Sequence, residues 1–181
     1  MDFWRLIEGR RSIRKYKSDP VEPEKVAKIL EAALRAPSSR NLKPWEFIAV
    51  TEPALIAQLA RARSHNAFLK EAPLAIVVCA DPAKCDVWVE DAAIAATFIG
   101  LAAAALGLGH CWLQIRQRDH SPDQTAEEYV RAVLRIPEHL KVEAIVAIGY
   151  PAEEKPGHPR TGLAFDKLHH NVYGEPFTGL P

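Results

Sequence analysis

Residues 92–115 carry no formal charge when His110 is neutral, and this stretch limits the fold more than any other. A segment of that length is either enclosed by protein or spans a membrane. Much of it is Ala and Gly, and Gly100, Gly107 and Gly109 interrupt it, which points to a buried helix followed by a strand, a membrane span being the alternative. Ile94, Phe98, Leu101, Ala105 and Leu108 mark one stripe, but Ala fills most other positions, so the helix is apolar nearly all round. Small side chains let backbones approach closely, which suits a central helix packed on several sides or against a second subunit. Gly107-Leu108-Gly109 closes it, and His110 to Ile115 reads as a strand.

The neighbouring elements fall around that helix. Leu74 to Ala80 is a continuous apolar run, as a strand buried on both faces would be, and Ile145 to Tyr150 and Phe47 to Val50 read as further strands. Phe3, Leu6 and Ile7 mark a short first helix with Asp2 as N-cap and Gly9 as stop. Glu22-Pro23-Glu24 announces a second, carrying Val26, Ile29, Leu30, Ala33 and Leu34 until Pro37 ends it. Thr51-Glu52-Pro53 starts a third, with Leu55, Ile56 and Leu59, and the polar 61–66 stretch is expected to loop out. Ser121-Pro122-Asp123-Gln124 matches a capping box ahead of Ala126, Tyr129, Val130, Val133 and Leu134. Beyond Pro151 the chain is rich in Pro, Gly and His, with one short helical candidate at Leu163 to Leu168, and such a tail is expected to lie on something else.

At 181 residues the chain suits one domain with a real core. Lys plus Arg equals Asp plus Glu at 23 each, so no overall field draws it to nucleic acid or an anionic membrane, and any cation site must be local. Cys79, Cys85 and Cys111 lack the paired spacings of a zinc site or a redox Cys-x-x-Cys and fit reduced thiols in a cytoplasm. Met1 is followed by Asp2, Trp4 and Glu8 rather than by a basic stretch and an apolar core, so no signal peptide is expected. The P-loop, dinucleotide fingerprint, Gly-x-Ser-x-Gly elbow and His-Glu-x-x-His helix do not occur. His169-His170 is a poor metal pair because adjacent side chains diverge, and no metal is expected.

One local cation site does stand out. Arg10-Arg11-Ser12-Ile13-Arg14 places three guanidinium groups and a hydroxyl within five residues at the end of the first helix. Arg offers a rigid donor fork that matches phosphate or carboxylate oxygens. In an extended segment Arg10, Ser12 and Arg14 share one face. The segment reads as an anion cradle or, more plainly, as a solvated basic turn.

This cluster, the loop Ala36-Pro37-Ser38-Ser39-Arg40-Asn41-Leu42-Lys43-Pro44-Trp45-Glu46-Phe47, and the run from Glu90-Asp91-Ala92 to Leu106-Gly107-Leu108-Gly109-His110-Cys111-Trp112 resemble the FMN-dependent nitroreductase family. Ile136-Pro137-Glu138 and Ala147-Ile148-Gly149-Tyr150-Pro151 extend the likeness over nearly the whole chain, in the family's order. The resemblance implies an α+β fold with a central, mostly antiparallel sheet flanked by helices. It implies an interlocked homodimer with FMN in each of two interface clefts. Residues 1–181 would form one FMN-binding domain, with 152–181 as a C-terminal extension packing on the partner subunit.

By the same resemblance Arg10, Ser12 and Arg14, with Arg11 nearby, hold the flavin from one subunit, and Arg160 reaches its phosphate. Pro37, Ser38, Ser39 and Asn41 match the loop that arrives from the partner. The backbone of Trp112, Leu113 and Gln114 would lie along the ring, with a free N–H of Leu113 or Gln114 near N5. Many members have Lys where His158 stands, so phosphate affinity is expected to weaken as pH rises above the imidazole pKa. Ile115 replaces a Gly of larger relatives, the 116–121 segment is short, and Asn66 is a candidate for a further polar contact. The implied activity is hydride transfer from NADH or NADPH to FMN and then to a nitroaromatic or quinone, with ping-pong kinetics and no protein acid, base or nucleophile. A guanidinium such as Arg14 at the pyrimidine edge would favour the reduced flavin. Reductive dehalogenation, dehydrogenation or flavin degradation on the same scaffold, and a non-catalytic FMN-binding module, are the alternatives. Trp45 and Cys111 are read as core residues.

Overall fold

Apolar runs that need cover on both faces set the centre of the structure, a computed structural model that describes residues 2–177 and residue 179. Of the extension expected over 152–181, residues 178, 180 and 181 lie outside the described residues. In chain order the elements are α1 (Phe3–Gly9), α2 (Pro23–Leu34), β1 (Trp45–Val50), α3 (Pro53–Leu59), β2 (Leu74–Ala80), α4 (Trp88–Ala105) and β3 (Gly109–Gln114). The short hairpin β4 (Asp119–Ser121) and β5 (Gln124–Thr125), then α5 (Ala126–Leu134) and β6 (Lys141–Gly149), follow. Four strands form one antiparallel sheet in the order β1-β2-β6-β3. This is the α+β arrangement that the resemblance implies.

β2 and β6 occupy the middle, and their alternation divides two cores. Val77, Cys79, Ile145 and Ala147 face α3, α5 and the 60–71 segment, whereas Ile76, Val78, Val146 and Ile148 face α2 and α4. Each fully buried Ile or Val contributes about 1.5–3 kcal/mol over exposure, and this double layer is where most of that gain lies. α4 is long and apolar enough to cross a membrane by composition, yet it packs on α2 and the sheet through Ala92, Ala95, Ala96, Ile99, Gly100 and Ala103. Gly107 ends it with φ +78°, the left-handed geometry that glycine adopts without strain, and Leu108 N–H closes back to the Ala103 carbonyl at 2.9 Å.

Three sequence expectations need correction. Ser121 and Gln124 pair across the β4–β5 hairpin, and the cap of α5 is Thr125, whose hydroxyl accepts from Glu128 N–H while the Glu128 carboxyl accepts from Thr125 N–H. Both four-residue patterns satisfy the motif, but only the second begins where helical geometry begins. Residues 61–66 do not loop out: 3-10 turns cover Ala60–Ala62 and Ser64–Glu71, with Ala62 and Asn66 buried. The tail carries two 3-10 turns, Arg160–Gly162 and Phe165–Lys167, in place of one helix. Trp45 and Cys111 are buried as expected.

Candidate active site

After α1 the chain runs extended alongside β3. Ser12 bridges His110 in parallel and Ile13 N–H donates to the His110 carbonyl at 2.9 Å. The segment sends its side chains three ways. Ile13 and Tyr16 turn into the core, and Arg11 turns outward to donate to the Pro156 carbonyl. Arg10 and Ser12 line a cavity of about 210 Å³ with Ala96, Gly100, His110 and Trp112. Arg14 lies farther along, its guanidinium 5.8 Å from the centre of the Phe68 ring.

A brace from the far end of the chain fixes this backbone. The Glu153 Oε1 oxygen accepts from Arg14 N–H at 2.6 Å and Lys15 N–H at 3.3 Å, and Lys155 Nζ donates to Glu153 at 2.9 Å and to the Ser12 carbonyl at 3.0 Å. These bonds hold the Glu153 carboxyl below the usual carboxylate range, the Arg14 N–H contributing most. The arginine side chains are thus mounted on an ordered backbone instead of a loose basic turn.

The floor is β3 and one turn of α4. A Cβ added at Gly100 would lie 2.7 Å from His110 Nε2, so only glycine lets the imidazole sit against the helix. Burial, and then the Arg10 guanidinium, push His110 down to about 4, which leaves it neutral near pH 7. Burial also raises the Cys111 thiol and pushes Cys79 up to about 12, so both are packed thiols and not redox groups.

Backbone direction along β3 corrects one expectation. Because His110 O faces the arginine segment and Ile115 N–H faces Glu143, the groups of Trp112 and Gln114 point to the open edge and those of Leu113 point to β6. Leu113 is also 2% exposed, so the outward N–H is that of Gln114. Gln114 is held on every side. Its carbonyl accepts from Arg63 at 3.0 Å, its Oε1 accepts from Trp112 Nε1 at 2.9 Å, and its Nε2 donates to Glu143 Oε1 at 3.1 Å. Glu143 is buried, its carboxyl is raised by that burial, and Arg116 Nε stands 3.9 Å from its second oxygen.

Within one chain the remaining predicted residues stand apart. The Pro37–Asn41 loop sits at the start of α4, where Ser39 N–H donates to Asp91 Oδ1 at 2.8 Å. Asp91 precedes Gly100 by nine residues, about 13 Å along the helix. His158 and Arg160 are exposed on the tail, and the Arg160 guanidinium lies 5.0 Å from the centre of the Phe165 ring. Asn66 is buried, and its Nδ2 has no hydrogen-bond partner among the described residues. His169 packs on Tyr173 and His170 on Phe177, so the two rings diverge. Sequence reasoning missed His110, Arg63, Glu143, Glu153 and Lys155 as members of the site. Only Glu143, one carboxyl inside the Val142–Ile148 run, left a visible signal.

Residues 7–65 and 53–150 match the profile of the Nitroreductase family. The chain superimposes on an FMN-dependent nitroreductase from Clostridium difficile R20291 with a TM-score of 0.92 and 47% identity, covering 94% of this chain and 100% of that one. It is 39% identical to a protein of Archaeoglobus fulgidus with the provisional name NADH dehydrogenase/NAD(P)H nitroreductase, over 83% of this chain and 86% of the relative. It is also 33% identical to the NADH dehydrogenase of Thermus thermophilus, over 88% and 90%.

Proposed function

Because the chain belongs to the nitroreductase family, we propose that it is a homodimeric, cytoplasmic oxidoreductase that binds FMN, takes hydride from NAD(P)H and reduces nitroaromatic or quinone-type acceptors. The observation that carries this reading is the cavity where Arg10, Ser12 and Trp112 meet the open edge of β3. The Arg10 guanidinium and Ser12 hydroxyl in this cavity, with Arg14 and the outward Gln114 N–H beyond it, suit a phosphorylated, planar, electron-rich ligand. When bound, FMN supplies the hydride-accepting and hydride-donating chemistry.

The chain's own residues bind and orient. Arg10 and Ser12 hold the ligand from one protomer, Arg14 balances negative charge at the ring, Arg63 holds the Gln114 carbonyl, and Trp112 and Glu143 fix its side-chain amide. Pro37, Ser38, Ser39 and Asn41 complete the site from the partner, and His158 and Arg160 approach the phosphate from the extension, 152–181, that packs on the second copy. The nicotinamide leaves before the acceptor enters the same cleft, which gives ping-pong kinetics.

Purified protein is expected to be yellow, to bleach rapidly in stopped flow with NAD(P)H and to recolour with a quinone. Arg14→Ala combined with Arg160→Ala is expected to lose FMN with the dimer intact. A colourless monomer that ignores added FMN overturns the reading, and a yellow protein inert to NAD(P)H overturns its catalytic half.

A further inference from the structure

The loop that would reach the flavin holds an improbable backbone. Arg40, Asn41 and Lys43 have φ of 52°, 56° and 48°, and none is glycine. Asn adopts this left-handed region with modest cost, whereas Arg and Lys do so only when the surroundings impose it. Residues 40 to 43 are themselves exposed, so what holds three such conformations among four must act from beneath them.

The constraint comes from the first turn of α4. Asp91 is 2% exposed, and its two oxygens are divided: Oδ1 accepts from Ser39 N–H at 2.8 Å, and Oδ2 accepts from the Cys85 thiol at 3.3 Å. Cys85 is itself buried, and Arg40 Nη2 lies 4.0 Å from its sulfur while pairing with Asp86. Ser38 Oγ accepts from Lys43 N–H at 3.0 Å and closes the loop on itself. The turn is therefore clamped at its base by Asp91 and across its mouth by Ser38.

We infer that Asp91, seated by Cys85, is a positioning residue that holds the 38–43 turn in the strained shape in which Ser38, Ser39 and Asn41 meet FMN across the dimer. This rests on the flavin site proposed above. Asp91 does not touch the ligand. Its effect runs through the Ser39 N–H, so the cost of ordering the loop is met during folding and not at each binding event.

FMN titration of apoprotein, followed by quenching of flavin fluorescence, tests this alongside sedimentation. Asp91→Ala is expected to weaken FMN binding about tenfold in a protein that remains dimeric. Asp91→Asn, whose carbonyl oxygen still accepts from Ser39 N–H, should stay close to wild type. A second pair isolates the same bond without altering the core: Ser39→Pro removes the N–H and Ser39→Ala keeps it, so proline should bind FMN about tenfold more weakly than alanine. If Asp91→Ala does not fold, this pair decides. Wild-type affinity in Asp91→Ala, equal affinity in the two Ser39 variants, or Asp91→Asn as weak as Asp91→Ala each overturns the inference. A wild-type protein that binds no FMN instead overturns the flavin site on which it rests.

Discussion

Helices α4 and α1 are both rich in apolar side chains, and the chain treats them in opposite ways. α4 buries Ala92, Ala95, Ala96, Ile99 and Ala103 between α2 and the sheet. α1 buries none of its residues and leaves Phe3 59% and Trp4 66% exposed. The tail repeats that pattern, with Tyr173 92% exposed and Val172 and Phe177 also uncovered. The middle of the chain thus covers most of its apolar surface, leaving Leu34, Leu42, Ile94 and Trp112 partly open, whereas both ends present surface that another body would cover. That contrast supports the proposed homodimer, in which the ends of one copy pack on the next.

The contrast can be broken first at its stable side. Ile145→Ala, in the central strand, is expected to cost about 4 kcal/mol in urea unfolding, a loss that no substitution in α1 should match. Acid gives the next largest effect. His110 is held near 4 in the folded chain against 6.5 for the free group, so the unfolded chain takes up the proton first. The neutral ring's contribution is complete above about pH 6.5 and is lost as pH falls towards 4, by about 3 kcal/mol in all. Glu143, raised by burial, acts in the opposite sense as pH climbs through the carboxylate range, so the check is the difference between wild type and His110→Leu.

At the other side of the comparison, Phe3→Ser with Trp4→Ser should leave the unfolding of the core nearly unchanged and weaken self-association by about 2 kcal/mol, read by sedimentation across concentration. A loss of core stability instead would mean that α1 belongs to the middle after all. Thr125→Ala is the smallest, about 1 kcal/mol in thermal unfolding, because it removes one cap from a helix that also packs on the sheet.

Where a run of side chains decides its own surroundings, the sequence is legible. Leu74–Ala80 and the Ala-rich α4 read as core elements, and an extended backbone at the arginine segment brings Arg10 and Ser12 to one cavity, whereas Arg14 lies over Phe68. Features that depend on residues far apart in the chain are not legible. Ser39 and Asp91 are 52 positions apart, and nothing in either local pattern shows that one N–H meets one carboxyl. Arg40 and Lys43 give no sign of left-handed backbone because the usual marker, glycine, is absent there. The 60–71 segment, which buries Ala60, Ala62, Asn66 and Leu69, hides its 61–66 stretch as a loop because its 3-10 turns have neither helical nor strand periodicity. Leu113 passes for a residue with a free amide because a strand's two edges cannot be told apart before its neighbours are known.

The brace from Glu153 and Lys155 to the backbone of Ser12, Arg14 and Lys15, with the Pro156 carbonyl on Arg11, has a consequence for biosynthesis. The arginine segment leaves the ribosome 138 to 145 residues ahead of the groups that hold it. Until those groups emerge it waits as an unfastened cationic strand, and it acquires its final form only when they fold back onto it.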